Sequence, residues 1–478
     1  MKSRTKTGFF AGVDAMAVIL YCIIVVVGCV CITSASFDEN TTNIFAFSHF
    51  YIKQIMWVAV ALVAAMVVLL MDINFFHRYA FMLYGVGIMM LLAALLFGRE
   101  VNGAKAWFEL GPIRLQPVEL AKIATGLAVA RVMSDTSFNI NKFEDLAKVV
   151  AILLVPLGII VLQNDTGSGI VLGSLLFVFY REGLNHWLSL PVILVATLFI
   201  ISFIFSPIFL LVASIVICTL CDAMITRAWK SHVIYLAAVS LMTIIVYALS
   251  GVIFGETWGL FDSLLVSASI SLVGVIAYAL RHKIHSMLII VGFFIFTMLF
   301  LPTTNYIFNS ILKEHQRNRI LTFLGMVSDP LGTGYNVNQS KIAIGSGGLF
   351  GKGFLQGTQI KYGFVPERHT DFIFCDLAEE WGFVGAFVLL SCFALLILRL
   401  MHMGERQNET FGRVYCYCVA SILLFHTLVN VGMTIGLMPV MGIPLPFVSY
   451  GGSSLLAFTI LLFVAIRLDS SSARQNYI

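Results

Sequence analysis

Long runs of apolar residues alternate along this chain with short polar segments. A helix needs about 20 mainly apolar residues to cross the hydrocarbon layer of a bilayer. Runs of about that length occur near residues 14–33, 51–71, 79–98, 147–163, 187–205, 232–254, 286–302, 383–401, 413–435 and 453–467. Shorter or more polar candidates lie near residues 117–133, 167–180, 207–221 and 263–280. The pattern predicts an all-α polytopic membrane protein with about 14 transmembrane helices.

The composition agrees with that prediction and excludes a soluble protein with one anchor. Hydrophobic residues make up 59% of the 478 residues and charged residues only 11%, whereas about 25% of an ordinary soluble domain is charged. Nearly all of the nine cysteines fall in apolar runs, where they act as small hydrophobic residues. Cys218-x-x-Cys221 has no second pair and no neighbouring histidine, so it does not indicate a metal or redox site.

The distribution of Lys and Arg predicts the orientation of the chain. If the N-terminus is cytoplasmic and 14 spans alternate, the outer loops at 205–207, 255–262 and 437–450 contain no Lys or Arg, and the cytoplasmic loops contain most of them. The outer loop 99–116 is the exception. This follows the positive-inside rule and predicts that both termini are cytoplasmic. It also places residues 303–375 outside the cytoplasm, because long loops are translocated regardless of their own charges.

The polar segment 303–375 is the first candidate for function. A connection of about 70 residues is uncommon unless it binds a ligand or catalyses a reaction. The glycines of its stretch Gly345–Phe374 allow the backbone to approach a ligand closely. The stretch does not match a phosphate-binding P-loop, because Ser346 stands where the first glycine should be and Gly353 follows Lys352 in place of Ser or Thr.

Charged residues flank this glycine-rich stretch. Arg317 and Arg319 belong to a helical stretch that suits either anion binding or a solvated charged face. Arg368, His369 and Asp371 come just before the apolar run that re-enters the membrane. Burial would raise the pKa of Asp371 and Arg368 would lower it, so Asp371 is a candidate general base. The alternative is a capping carboxylate at the membrane surface, with Arg368 and His369 as anchors in the lipid headgroups.

Further polar residues lie within or beside predicted spans, where ionisable side chains are costly and are candidates for function. Glu119 and Lys122 are three residues apart, so on a helix they share a face and can neutralise each other. Glu119 and Lys122 therefore form either a structural ion pair or part of a functional site. Asp165 is placed to cap the following helix. The Pro/Gly-rich segment 438–453 predicts irregular backbone that is buried in protein or lines a cavity.

These motifs resemble the SEDS family of bacterial membrane proteins (shape, elongation, division and sporulation), and its elongation members more than its division members. The blocks that carry the resemblance are Gly103–Lys122, Gln163–Gly167, Ser328–Ser340, Gly345–Phe372 and Pro444–Ser453. About 100 residues between roughly 190 and 300 have no counterpart in the usual ten-helix core of the family and are expected to add about four spans. An even number of added spans keeps the Asp371 loop on the outer side.

The resemblance implies a peptidoglycan glycosyltransferase of the bacterial cytoplasmic (inner) membrane, which polymerises lipid II at the outer face. It implies a class B penicillin-binding protein and other elongation-complex membrane proteins as partners, and no nucleic acid. The family's essential carboxylate falls on Asp371, the expected catalytic residue, with undecaprenyl pyrophosphate as the leaving group. The residues expected to bind the substrate are Glu119, Lys122, Asp165, Arg317, Arg319, Lys352, Arg368 and His369. A divalent cation, Mg or Mn, could share this work, although the sequence has no dedicated ligand cluster.

The chain departs from the family pattern in a few positions. Ala106 stands where the family usually has Arg, and Asn164 and Thr166 replace the usual Pro and Leu around Asp165. The resemblance divides the chain into N-terminal core helices, a membrane region with the insert, a large catalytic loop and C-terminal core helices, at residues 1–186, 187–302, 303–375 and 376–478.

Two other functions compete with the enzyme. A lipid II flippase would use Glu119, Lys122 and Asp165 as a polar path, but it needs ionisable groups across the whole bilayer, whereas these crowd toward the outer side. A scaffold for elongation proteins would not need Asp371 at all.

Overall fold

A computed structural model describes most of the chain. The described residues are 12–36, 50–101, 103–111, 113–185, 198, 201–202, 205–227, 229–253, 258–282, 284–306, 308, 310, 314–323 and 333–475. The chain divides into two compact units, one of Met1–His186 with Gly325–Ile478 and the other of Trp187–Leu324. Each unit is described by itself.

The first unit contains a small sheet and most of the long helices. Its elements are α1 (Ala15–Ser36), α2 (Phe50–Leu70), α3 (Ile73–Phe97), β1 (Arg99–Val101), β2 (Ala104–Leu110), β3 (Ile113–Leu115), α4 (Pro117–Met133), α5 (Phe143–Leu162), α6 (Thr166–Gly173), α7 (Leu176–Arg181), α13 (Thr333–Ser346), α14 (Thr358–Lys361), α15 (Ile373–Glu405), α16 (Thr410–Thr434) and α17 (Gly452–Gln475). The second unit contains α8 (Pro207–Thr226), α9 (Trp229–Ile253), α10 (Leu260–His282), α11 (His285–Tyr306) and α12 (Glu314–Phe323).

The structure agrees with the prediction of a mainly helical membrane protein. Within the described ranges, ten helices are long and apolar enough to cross a bilayer, so the chain is a multi-pass membrane protein. The runs at 207–221 and 263–280 are predicted only as shorter or more polar candidates. Both belong to helices among these ten, α8 and α10. The predicted span 187–205 lies almost entirely outside the described residues. The total of about 14 spans and the cytoplasmic termini stay predictions.

The sheet corrects the all-α prediction at one place. Residues of the loop 99–116 form the antiparallel sheet β1-β2-β3. Glu109 on β2 pairs with Arg99 on β1 and, at 3.2 Å, with Arg114 on β3. The two arginines of this outer loop therefore share one carboxylate within the sheet, and cross-strand pairs of this kind favour its register.

Helices α4, α16 and α17 form the centre of the first unit. They are largely buried along their length, whereas α2 and α3 bury only a few of their apolar side chains and leave many exposed, as expected for helices that face lipid. Pro117 occupies the first turn of α4, where its missing N–H costs nothing. At one end of the unit, Arg406 binds both Asp14 and Asp469, which joins the beginning of α1 to the ends of α15 and α17.

Helix α15 bends sharply near its beginning. A straight helix of 33 residues would be about 50 Å long, well beyond the hydrocarbon layer. Gly382 breaks it with φ of 67° and ψ of −163°. At this bend the backbone of residues 347–353 lies directly against the backbone of 378–384, joined by hydrogen bonds from Phe383 N to Gly348 O (2.9 Å) and from Gly353 N to Glu380 O (2.9 Å).

We expect Gly382→Ala to disrupt this contact. A Cβ at residue 382 would lie 2.3 Å from Gly351 N, and the positive φ strains any residue with a side chain. The free energy of unfolding should fall by about 2–4 kcal/mol, measured by thermal unfolding of the purified protein in detergent. Gly158→Ala in α5 is the control, because a Cβ there meets nothing within 4 Å. Equal unfolding temperatures for the two variants would contradict the close backbone contact.

Candidate active site

Asp371 lies in a turn region, residues 365–372. Hydrogen bonds to backbone carbonyl groups of this turn hold it against the rest of the first unit. Three successive carbonyl oxygens of the turn each accept a hydrogen bond. His369 O accepts from Tyr450 N (2.8 Å), Thr370 O from Ser449 Oγ (2.7 Å) and Asp371 O from Asn430 Nδ2 (2.8 Å). The backbone that carries the Asp371 carboxylate is therefore fixed.

The partner of this turn is the Pro/Gly-rich segment, whose residues 438–451 lie between α16 and α17 and form no regular helix or strand, whereas residues 452–453 begin α17. Its apolar residues Ile443, Leu445, Phe447 and Val448 are buried, which confirms the prediction that irregular backbone here is enclosed by protein. Gly442 has φ of 69°, and a Cβ on it would lie 3.7 Å from Asp371 Oδ2. The segment thus passes close beside the carboxylate.

The pair Glu119 and Lys122 forms as predicted. Lys122 Nζ lies 2.8 Å from Glu119 Oε2, and the two side chains are 2% and 3% exposed. Lys122 Nζ also lies 2.7 Å from His426 Nε2, and His426 Nδ1 lies 3.2 Å from the carbonyl of Pro444. Because an ammonium group only donates, His426 accepts at Nε2 and donates from Nδ1 to that carbonyl. The pair therefore connects through His426 to the Pro/Gly-rich segment.

Asn430 lies one turn after His426 on α16 and is fully buried. Its Nδ2 donates both to Asp371 O and to Ile443 O (2.7 Å). An oxygen could not replace this nitrogen, because both partners are acceptors. Asn430 thus joins the turn that carries Asp371 directly to the Pro/Gly-rich segment.

Asp165 caps α6, which confirms the prediction of a cap. It accepts from Ser168 N (3.1 Å) and Ser168 Oγ (2.8 Å), and from Gln116 Nε2 (3.1 Å). Asn164 has φ of 60°, a conformation that asparagine tolerates. A substrate role for Asp165 stays a prediction.

Arg368 and His369 are both committed to contacts within the protein. Arg368 Nε donates to Ala35 O (2.8 Å), and its Nη1 donates to Ile360 O. The His369 ring stacks on Phe50 with centroids 4.4 Å apart. Burial lowers the pKa of His369 below its ordinary value, Arg368 adds to the effect, and Glu367 opposes it.

Lys352 is bound to a buried carboxylate. Its Nζ lies 2.6 Å from Glu379 Oε1 and 2.8 Å from Thr358 Oγ1. Glu379 also accepts from the backbone N–H groups of Gln359 and Ile360. Glu379 therefore holds the glycine-rich stretch in a fixed shape, and Lys352 helps to neutralise it.

The structure brings the predicted residues together only in part. Asp371, His369 and Arg368 share one turn, and Glu119 and Lys122 reach it through His426 and the Pro/Gly-rich segment. Arg317 and Arg319 lie on α12 of the second unit, and their role as ligands stays a prediction. Among the described residues no three His, Cys, Asp or Glu side chains are arranged to hold a metal ion.

Sequence reasoning missed the buried polar residues of the helices. His426 and Asn430 lie in an apolar run with only their i, i+4 spacing as a signal, which places them on one helix face. Asp376, in the first turn of α15, is fully buried, and neither of its carboxylate oxygens has a hydrogen-bond partner within the described structure. Glu379 orders the glycine-rich stretch. The signal for it in the sequence is the pair of adjacent acidic residues, Glu379 and Glu380, just before a predicted span.

Comparison with known proteins agrees with the resemblance. A family model described as "Cell cycle protein", for FtsW, RodA and SpoVE, matches residues 14–213 and 208–474. The chain is 33% identical over 434 residues to the peptidoglycan glycosyltransferase RodA of Treponema pallidum, covering 90% of each chain. It is 34% identical over 407 residues to the peptidoglycan glycosyltransferase MrdB of Escherichia coli K12, covering 84% of this chain and 81% of that protein. Both relatives are named as enzymes, which confirms the expectation that this chain is an enzyme.

Solved structures show the same fold. One similar chain belongs to a structure described as a peptidoglycan synthase complex that coordinates polymerization and crosslinking, with 27% identity, a TM-score of 0.59 and coverage of 96% of this chain and 98% of that chain. Another is the rod shape determining protein RodA of Thermus thermophilus, with 24% identity, a TM-score of 0.54 and coverage of 96% of both chains. The chain belongs to the FtsW/RodA/SpoVE family.

Proposed function

We propose that this protein is a peptidoglycan glycosyltransferase of the bacterial cytoplasmic membrane that polymerises lipid II during cell elongation. The names of its relatives support cell-wall glycosyltransferase activity. The observation that carries the site assignment is the triple attachment of the turn 369–371, which fixes the backbone at Asp371. A fixed base needs little reorganisation when the reaction begins.

The proposed reaction is the one that the family resemblance implies, with Asp371 as the base. The Asp371 carboxylate takes the proton from the 4-hydroxyl of an acceptor sugar. The sugar oxygen forms a bond to the anomeric carbon of the donor, and the bond from that carbon to the pyrophosphate oxygen breaks. Undecaprenyl pyrophosphate leaves with the electron pair. General-base catalysis of this kind contributes about 100- to 10,000-fold in rate.

The predicted cations would act from fixed positions. Arg368 lies three residues before Asp371 in the chain and donates to two backbone carbonyls, and Lys352 is held by Glu379. Fixed positive groups can stabilise charge that develops on a leaving pyrophosphate. A divalent cation, Mg or Mn, would supply further charge if it arrives with the pyrophosphate. We also propose that the active site opens on the outer face of the membrane and that a class B penicillin-binding protein is the partner, an assignment supported by the similar chain in the synthase complex.

The flippase has no specific support in this structure. Glu119 and Lys122 neutralise each other inside the first unit and are nearly inaccessible. An ionisable path for a lipid headgroup would instead need polar groups that line an accessible route.

We expect Asp371→Asn to lower the rate of glycan formation from lipid II by about 100- to 10,000-fold, because the amide cannot accept the proton. The measurement is polymer formed from labelled lipid II by the purified protein together with a cognate class B penicillin-binding protein. The matched control is Glu367→Gln, which removes an exposed carboxylate from the same turn. Equal polymer from Asp371→Asn and wild type would remove Asp371 from the mechanism. Passage of lipid II across liposomes without polymer would favour the flippase.

Asn430→Leu tests the attachment of the turn. The leucine keeps the branching of the side chain, with a larger volume, but leaves the carbonyls of Asp371 and Ile443 without their donor. We expect kcat to fall by about 10- to 100-fold while KM for lipid II changes little, because the base is displaced and the substrate contacts are kept. Asn430→Ser, which keeps one donor, should recover part of the rate. Thr427→Val is the control, because the Thr427 hydroxyl bonds only within its own helix. An unchanged kcat for Asn430→Leu would show that the attachment is not needed.

His369 predicts a pH dependence of stability. Its folded pKa lies below the ordinary 6.5, so its neutral form is favoured in the fold, and the associated stability is complete above pH 6.5 and declines as pH falls below it. Between about pH 7.5 and pH 5.5, the thermal unfolding temperature should fall more for wild type than for His369→Phe, which keeps the aromatic ring against Phe50. The exposed His402→Phe is the control and should keep the wild-type dependence. Identical pH profiles for wild type and His369→Phe would refute this assignment.

A further inference from the structure

Four large apolar side chains beside the bend of α15 point away from the protein. Leu349 is 65% exposed, Phe350 80%, Trp381 47% and Phe383 63%. We call these four residues the apolar wedge. They belong to the glycine-rich stretch and to the residues that flank Gly382, and none of the four is among the residues assigned to the candidate site above.

The backbone that carries the wedge is fixed. Phe383 N donates to Gly348 O (2.9 Å), and Val384 N donates to Leu349 O (3.1 Å). Lys352 N donates to Glu379 O on the other side of the bend (3.0 Å). The exposure of Leu349 and Phe350 is therefore imposed by the paired backbone and is not a property of a loose loop.

The wedge continues the exposed apolar surface of α15. The Phe383 ring stacks on Phe387 with centroids 6.2 Å apart. Val384, Phe387 and Val388 are also exposed along this helix, which is apolar enough to span a bilayer. Apolar side chains on the outside of a spanning helix contact acyl chains, and aromatic residues concentrate at the membrane–water boundary. The exposed apolar surface of the wedge is therefore continuous with the exposed apolar surface of α15.

The charge of the surrounding chain matches an anionic surface. Residues 330–366 contain three lysines, Lys341, Lys352 and Lys361, and no aspartate or glutamate. Lys352 is paired with the buried Glu379, so the attraction would come from Lys341 and Lys361. Lys341 and Lys361 are exposed. Basic residues next to an inserted apolar patch are attracted to anionic lipid headgroups.

We infer that the apolar wedge inserts into the headgroup region of the membrane leaflet on the same side as Asp371, and that phospholipid covers the wedge. Insertion fixes the glycine-rich stretch at the depth of the lipid phosphates. This inference concerns lipid contact alone and does not depend on the glycosyltransferase activity. A transmembrane helix of a protein partner and a second copy of this chain are the competing occupants.

The test uses a photo-crosslinking residue in the full-length protein. Phe350→p-benzoylphenylalanine is reconstituted into liposomes of phosphatidylglycerol and phosphatidylethanolamine, irradiated and analysed by mass spectrometry for lipid adducts. Phe387→p-benzoylphenylalanine on the lipid face of α15 is the positive control. Gln356→p-benzoylphenylalanine, at an exposed polar position of the same stretch, is the negative control.

The expected result is lipid adducts at position 350 with a yield similar to that at 387 and at least about fivefold above that at 356. Adduct yields at 350 no higher than those at 356 would overturn the inference. A crosslinked dimer in place of lipid adducts would overturn it in favour of a second copy. The same variant is then irradiated in native membranes that contain a class B penicillin-binding protein. Retained lipid adducts support the inference, and their replacement by a protein adduct would identify a partner surface instead.

Discussion

Irregular backbone inside a membrane protein must find hydrogen-bond partners within the protein, and the candidate site is organised by this requirement. The Pro/Gly-rich segment cannot satisfy its own carbonyl groups as a helix would. Two side chains one turn apart on α16 do so instead, with His426 donating to Pro444 O and Asn430 to Ile443 O. Asn430 then extends the same arrangement to Asp371 O.

This requirement also accounts for the buried ion pair. Lys122 is a donor that faces Nε2 of His426, so the imidazole is neutral, accepts at Nε2 and donates from Nδ1 to Pro444 O. Lys122 in turn needs the Glu119 carboxylate, because an unpaired buried charge is strongly unfavourable. Glu119 and Lys122 thus have a structural role that reaches the Asp371 turn, although they do not touch it.

The glycine-rich stretch is ordered by a second buried carboxylate. The Glu379 carboxylate accepts hydrogen bonds from Lys352 Nζ and from the backbone N–H groups of Gln359 and Ile360. The stretch that looks most flexible in the sequence is thereby held against the bend of α15. The glycines serve close packing between two backbones, since a Cβ on Gly351 would lie 2.0 Å from Glu380 O. A rigid loop of this kind can exclude water and present fixed cations in a way that a mobile loop cannot.

The sequence by itself determined most of the segments that are apolar enough to span, the pairing of Glu119 with Lys122, the cap at Asp165 and the family. These follow from composition, local spacing and motifs, which act over a few residues. The sheet at residues 99–115, the bend at Gly382 and the roles of His426 and Asn430 were decided only by the tertiary structure. A polar side chain in an apolar helix shows that a partner is needed but does not show which one. That partner is a carbonyl made available by distant residues of the chain, and only folding brings the two together.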